Sequence, residues 1–329
     1  MPLPFPTITA RPLFDPQREE LRFLPECPRL LQNFPASYPV LAWVGIQHGA
    51  DSGVGSLNLL RLDTLSNTCY LLPGRPGFFA ETQQPGVVVV GLDRRLVLFD
   101  LEANQLTETG ISLEVDDRTL INDGLAVPGG LLFGTKHLSF AEPKAALYYW
   151  ESATNQLRQV LGEQICSNGK HVTGGPDGSV LIDTDSIPKA ITRYRFSGWI
   201  DGLQDKTLVC APDSLPGFPD GMRVTANGES AVVAFYNPEA TPYGRAREIR
   251  LADGEVLTEW QLPGSPRVTC PELLLLNGRV QAIFTTAVEG MNSELRAQCP
   301  DAGTLFIADA PFSQAPPPPP LVDVTLLSR

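Results

Sequence analysis

One unit of sequence returns six times along this chain, and nothing else in it constrains the fold as strongly. Runs rich in β-branched and aromatic residues recur at 41–46 (LAWVGI), 86–92 (GVVVVGL), 130–135 (GLLFGT), 179–185 (SVLIDTD), 230–236 (SAVVAFY) and 280–287 (VQAIFTTA), each bounded by Gly, Pro, Asn or Asp. A partner run follows each one, at 57–63, 96–100, 146–150, 191–196, 248–251 and 304–309. The return interval, roughly 40 to 57 residues, is that of β-propeller blades. One such pair cannot bury both of its faces, so units stacked around an axis must supply the core. The 29 glycines and 31 prolines punctuate the chain every few residues, which breaks long helices, and no stretch sustains a 3.6-residue apolar period. The expected fold is therefore all-β, a six-bladed propeller in a single domain over 1–329. Two stacked jelly rolls leave the regular return of one unit unexplained.

A shorter polar segment precedes several of these pairs: PECPRLL at 25–31, INDGLAV at 121–127, CSNGKHV at 166–172 and FPDGMRV at 218–224. The innermost strand of each blade lines the central channel, so polar residues at the starts of these strands converge at one mouth. Two edges are irregular. Residues 1–24 form a Pro-rich arm expected to wrap the molecule, completing a blade and closing the ring. Residues 313–329 include APPPPP, expected as a rigid surface spacer in extended polyproline conformation, or else as a ligand for a partner that reads such segments.

The net charge of −12 argues against a nucleic-acid or anionic-membrane partner. No apolar run reaches membrane-spanning length, and the N-terminus lacks the basic start and apolar stretch of a secretory signal. These features predict a cytoplasmic protein, a monomer or weak dimer whose partner is a small-molecule substrate. Six scattered cysteines without a CxxC pair read as free thiols in a chain this long. No G-x-S-x-G elbow and no phosphate-cradling Gly loop is present.

The polar segments carry oxygen donors. Glu26, Asn168 and Asp220, with Asn122 and Asp123 nearby, supply carboxylate and amide oxygens suited to a hard divalent cation. Three protein donors leave coordination positions for water and substrate. The same triplets NDG, SNG and PDG are ordinary turn sequences, since Asn and Asp tolerate left-handed backbone and Gly supplies positive φ. On spacing alone both readings stand, and the turn is the commoner.

The ordered set of motifs resembles the senescence marker protein/regucalcin/gluconolactonase family from Glu26 to about Val322. Glu26-Cys27-Pro28 stands where the family has E-G-P. Asn122-Asp123-Gly124 matches its N-D-G, Cys166-Ser167-Asn168-Gly169 its I-S-N-G, and Pro219-Asp220-Gly221-Met222 its P-D-G-M. The resemblance implies a six-bladed propeller that binds one divalent metal ion (Ca, Mg, Mn or Zn, with Ca favoured) and hydrolyses lactones. It assigns the metal to Glu26, Asn168 and Asp220, with Asp220 as the general base. It places Asn122 on substrate or on a metal-bound water, with Asp123 its neighbour beside the channel.

Three departures bear on substrate. Leu120 stands where the family carries Arg, and Lys136 and His137 follow the G-T where sugar lactonases carry small, apolar or acidic groups. Leu120, Lys136 and His137 are therefore expected to line the substrate pocket. The expected activity is opening of a lactone or related cyclic ester, less polar than a sugar lactone. The rivals are a diisopropylfluorophosphatase-type hydrolase and a calcium-binding propeller without turnover.

Overall fold

The computed structural model describes residues 5–175, 178–199 and 201–327; the first four residues of the N-terminal arm and the last two of the tail lie outside them. Among the described residues the strands form six sheets, five of them built on antiparallel four-strand meanders that follow in chain order and the sixth completed from the N-terminus. Blade 1 holds β3 (Pro25–Leu30), β4 (Val40–Gly45), β5 (Gly55–Arg61) and β6 (Asn67–Leu72). Blade 2 holds β7 (Pro76–Glu81), β8 (Val87–Leu92), β9 (Arg95–Asp100) and β10 (Gln105–Ser112). Blade 3 holds β11 (Thr119–Val127), β12 (Gly130–His137), β13 (Ala145–Glu151) and β14 (Gln156–Gln164). Blade 4 holds β15 (Ser167–Gly175), β16 (Gly178–Asp185), β17 (Ala190–Phe196) and β18 (Gln204–Leu208). Blade 5 holds β19 (Phe218–Val224), β20 (Ser230–Tyr236), β21 (Tyr243–Arg250) and β22 (Val256–Pro263).

Blade 6 has only three strands from its own stretch of chain, β23 (Val268–Leu276), β24 (Arg279–Thr286) and β25 (Leu305–Asp309). Its outermost strand is β2 (Arg11–Phe14), which pairs antiparallel with β25, Arg11 opposite Ile307. Pro12 is tolerated there because an outermost strand needs no second row of donors. Just before it, β1 (Thr7–Thr9) runs parallel to β22 as a fifth strand of blade 5. The N-terminal arm thus joins two blades and ties the two halves of the chain together. Two short helices, α1 (Glu19–Arg22) and α2 (Ser293–Gln298), sit in connections.

All six recurrent runs read from the sequence are second strands and their partners are third strands. The outermost strands carried no signal, because they are half-exposed, as the alternating burial of β10 and β14 shows. The core lies between blades. Val127, Leu132, Leu147, Leu181 and Tyr194 fill the space between blades 3 and 4. Trp43, Leu60, Leu274 and Ile283 close the seam between blades 6 and 1. Each large apolar side chain buried this way contributes about 1.5–3 kcal/mol. Trp43, Trp150 and Trp260 are fully buried. Each indole N–H still finds an acceptor, in Asn67 Oδ1, Asn155 Oδ1 and the Asp309 carbonyl, so burial leaves no orphan donor. Tyr148 stacks on Phe133 at 5.9 Å and Tyr149 on Trp199 at 4.7 Å, so this aromatic run is packing.

The C-terminal tail is anchored as well as extended, with Pro317, Pro318 and Pro320 at the surface. The Pro317 carbonyl accepts from Arg223 and the Pro319 carbonyl from Gln32. Val322 bridges to Thr82, and Val322, Val324 and Leu327 are buried against blades 1 to 3. Prolines donate no backbone hydrogen but keep their carbonyls, so the segment can accept from the inner strands at the base of the ring. Among the described residues no helix is long and apolar enough to cross a membrane.

Candidate active site

Every inner strand slips register close to its start. The shifts fall between Glu26 and Arg29, Pro76 and Phe78, Ile121 and Asp123, Asn168 and Lys170, Pro219 and Met222, and Val268 and Pro271. A β-bulge re-aims the side chain at the irregularity, and six bulges at equivalent places form a ring. NDG, SNG and PDG are therefore bulged strand segments rather than turns. Their glycines serve close approach between blades. A Cβ on Gly169 would lie 2.7 Å from the Asp220 carbonyl oxygen, and one on Gly221 would lie 2.5 Å from Cys270 Sγ. In blade 1 the bulge runs through Cys27 at φ 50°, a left-handed conformation that a residue with a Cβ adopts at a cost of about 1–2 kcal/mol.

The bulges deliver Glu26, Asn122, Asn168 and Asp220 to a cavity of about 400 Å³ at one mouth of the channel. Lys136, at the end of β12, reaches the same cavity. Asn122 Nδ2 donates to Asn168 Oδ1 (3.0 Å) and to the Ser167 carbonyl (3.0 Å). Asn168 Nδ2 donates to Ser186 Oγ (2.8 Å), which in turn donates to the Pro219 carbonyl (2.7 Å). The amide of Asn168 is thereby held with its oxygen toward Asn122. Asp220 Oδ1 is buried with no hydrogen-bond partner among the described residues.

Burial, then the charge of Asp220 and that of Asp123, pushes the Glu26 carboxyl well above the usual carboxylate range. Burial, then the charge of Asp123, does the same to Asp220, with Lys136 opposing and Glu289 adding. Two buried carboxylates both held above the usual range, a buried oxygen without a donor and an amide oxygen beside them form an oxygen-only donor set short of positive charge. That set fits a hard divalent cation, which Glu26, Asn168 and Asp220 could hold. Among the described residues no three His, Cys, Asp or Glu side chains gather as a metal-binding group; the donor set here is two carboxylates and one amide.

Three expected pocket residues lie elsewhere. Asp123 sits below the mouth, paired with Lys170 at 2.8 Å. Leu120, in the regular ladder ahead of the bulge, lines a separate groove with Arg94, Leu113 and Asp117. Only Asn122 is re-aimed by the irregularity, so the residue two positions earlier does not follow it into the mouth. His137 is buried and turned from the cavity, its Nδ1 2.7 Å from Ser139 Oγ and its Nε2 3.7 Å from Asp116.

The sequence reading missed the cavity's apolar wall, Leu24, Ile46, Phe140, Ile187 and Phe218, and the polar Tyr236 and Glu289. A usable signal was present. In an antiparallel blade the end of the second strand returns to the end where the first begins, so residues at or just after 45, 137, 185, 236 and 286 rise to the same mouth. Deeper in the channel, Glu272 bridges Arg223 (2.8 Å) and Arg29 (3.5 Å), and the Pro-rich tail covers the far end.

Residues 24–284 match the family described as SMP-30/Gluconolactonase/LRE-like region. The chain is 27% identical over 271 residues to an L-arabinolactonase of Azospirillum brasilense, covering 82% of this chain and 83% of that one. It is 26% identical to regucalcin of Danio rerio over 68% of this chain and 73% of the relative. The fold superposes on a regucalcin of Agrobacterium tumefaciens with a TM-score of 0.76 at 19% identity, covering 96% of this chain and 98% of that one.

Proposed function

Because the chain belongs to the SMP-30/gluconolactonase/LRE-like family, we propose that it is a lactonase: a divalent-metal-dependent hydrolase that opens a lactone ring. The observation that carries this reading is the convergence of Glu26, Asn168 and Asp220, on bulged inner strands of three blades, in one cavity with an apolar wall. The oxygen-only donor set favours calcium, magnesium or manganese over softer metals. Bound there, the cation supplies polarisation of the lactone carbonyl and charge to offset its developing oxyanion.

This chain's residues do the rest. The Oδ1 of Asp220, which accepts no hydrogen bond from any described residue, takes a proton from the attacking water. The water oxygen bonds to the carbonyl carbon, the ring C–O bond breaks, and the departing alkoxide recovers the proton from Asp220 to give a hydroxy acid. Asn122, fixed by Asn168 and Ser167, orients substrate at the mouth. Leu24, Ile46, Phe140, Ile187 and Phe218 exclude water and favour a less polar ring over a polyhydroxylated sugar lactone. With Leu120 outside the cavity, this apolar wall is what supports that preference.

The test is a panel of aliphatic, aryl and sugar lactones assayed before chelation, after it, and after return of Ca²⁺, Mg²⁺ or Mn²⁺. Activity should vanish on chelation and recover with metal. Asp220→Asn should lower kcat by about 10²–10⁴ while circular dichroism stays that of the wild type. A folded, metal-binding protein that opens no lactone would overturn the reading; turnover of phosphorus esters alone would replace it with the phosphotriesterase one.

A further inference from the structure

Two lysines enter the upper channel, and only one of them is paired. Lys170 donates to Asp123 Oδ2 and to the Asn168 carbonyl. Lys136 is comparably buried, 6% exposed, and lines the cavity. Yet no described residue forms a hydrogen bond or an ion pair with its side-chain nitrogen, and its charge reaches Glu26, Asp220 and Cys166 only through space. Its nitrogen opens on the cavity rather than being sealed in the wall, so an anion that enters meets a cation that no described side chain pairs with. Its backbone is bridged to Cys166 of the next blade, which fixes where the side chain starts. The wall around it offers Phe140, Ile187 and Phe218, a surface for hydrocarbon rather than hydroxyls.

We propose that Lys136 is an anion-recognition group, and that the cavity takes a ring bearing one carboxylate, which pairs with Lys136 while the ring lies against Phe140, Ile187 and Phe218. This rests on the lactonase reading and narrows its substrate class to lactones that carry a single carboxylate. One negative charge rather than two follows from the surroundings. Glu26, Asp220 and Glu289 already face the same space. A divalent ion with Lys136 balances those three carboxylates, so one further carboxylate leaves a single excess negative charge beside two cations, whereas a doubly charged group leaves two and meets the stronger repulsion.

Calorimetry with unreactive probes tests the site apart from turnover. In saturating Ca²⁺ the protein should bind cyclopentanecarboxylate about tenfold more tightly than neutral cyclopentanecarboxamide, as expected for one charge-assisted hydrogen bond in a partly desolvated site. Lys136→Met should abolish that preference and Lys136→Arg should keep most of it. In parallel, kcat/KM for 5-oxotetrahydrofuran-2-carboxylate relative to γ-valerolactone should fall about tenfold in Lys136→Met, chiefly through KM. A preference that survives in Lys136→Met would mean that the carboxylate is held by the metal alone, and would overturn the proposal. Should no lactone be opened by any form of the protein, the lactonase reading fails while the calorimetric comparison still decides the role of Lys136.

Discussion

Asp183 shows how a single buried group couples this fold to pH. It lies on β16 opposite Lys170 and accepts from Gln164 Nε2 at 2.6 Å, while its Oδ1 has no partner among the described residues. Burial, only partly offset by the charge of Lys170, pushes its carboxyl from 3.8 up to about 7. Between those two values the native state keeps a proton that the unfolded chain has released. Stability from this group is therefore fully present below pH 4 and is lost as the pH rises through 7. Asp183→Asn keeps the shape and removes the titration. The unfolding free energy of the variant relative to wild type should rise, between pH 5 and 8, by on the order of 2–3 kcal/mol. Denaturant titrations at the two pH values check this, and a pH-independent difference would mean that Asp183 ionises freely in the fold.

At the scale of the strand, the bulge is the device that makes a site out of a blade. It needs room for two inner strands to approach backbone to backbone, and glycine supplies that room at Gly169 and Gly221. An alanine methyl at 221 would meet Cys270 Sγ at 2.5 Å and its Cα at 2.9 Å. Neither can withdraw far, because Cys270 lies on the bulged strand of blade 6. Gly221→Ala should destabilise the protein by about 1–3 kcal/mol and, by displacing the adjoining Asp220, lower lactone turnover more than the stability loss explains. Gly53→Ala, whose added methyl would have nothing within 4 Å of it, is the control and should be close to neutral in both urea denaturation and turnover.

For the whole molecule, the two chain ends do different work. The N-terminal strand β2 closes the ring by completing blade 6. The tail closes the channel: its carbonyls accept from Arg223 and Gln32, and Val322, Val324 and Leu327 pack into the core shared by blades 1 to 3. Each of those three burials is worth about 1.5–3 kcal/mol. Truncation after residue 312 should lower the unfolding free energy by on the order of 5 kcal/mol, shift the urea midpoint down, and admit water to the Arg29–Glu272–Arg223 bridge. An unchanged midpoint would show that the tail rests on the base without supporting it.

How far these features were legible depends on the range of the physics behind them. Burial on both faces forces a continuous apolar run, so the second and third strands of all six blades could be read from the sequence alone. Glu26, Asn122, Asn168 and Asp220 lay at the starts of equivalent inner strands, but on spacing alone a turn was the commoner reading, and it took the family's motifs to single them out. Outermost strands, half in water, left no comparable pattern. Lys136 lines the cavity, whereas Asp123, Leu120 and His137, expected there from their places in the family's motifs, do not, because a one-residue slip at Asn122 decides which side chain turns inward. The cavity's wall came from loops after the second strands, and the docking of the tail from carbonyls meeting Arg223 and Gln32. Periodicity and donor chemistry are local and survive in the order of residues. Bulge direction, the pairing of one buried lysine and not the other, and the seat of the tail depend on which blades become neighbours, and only the closed ring determines that.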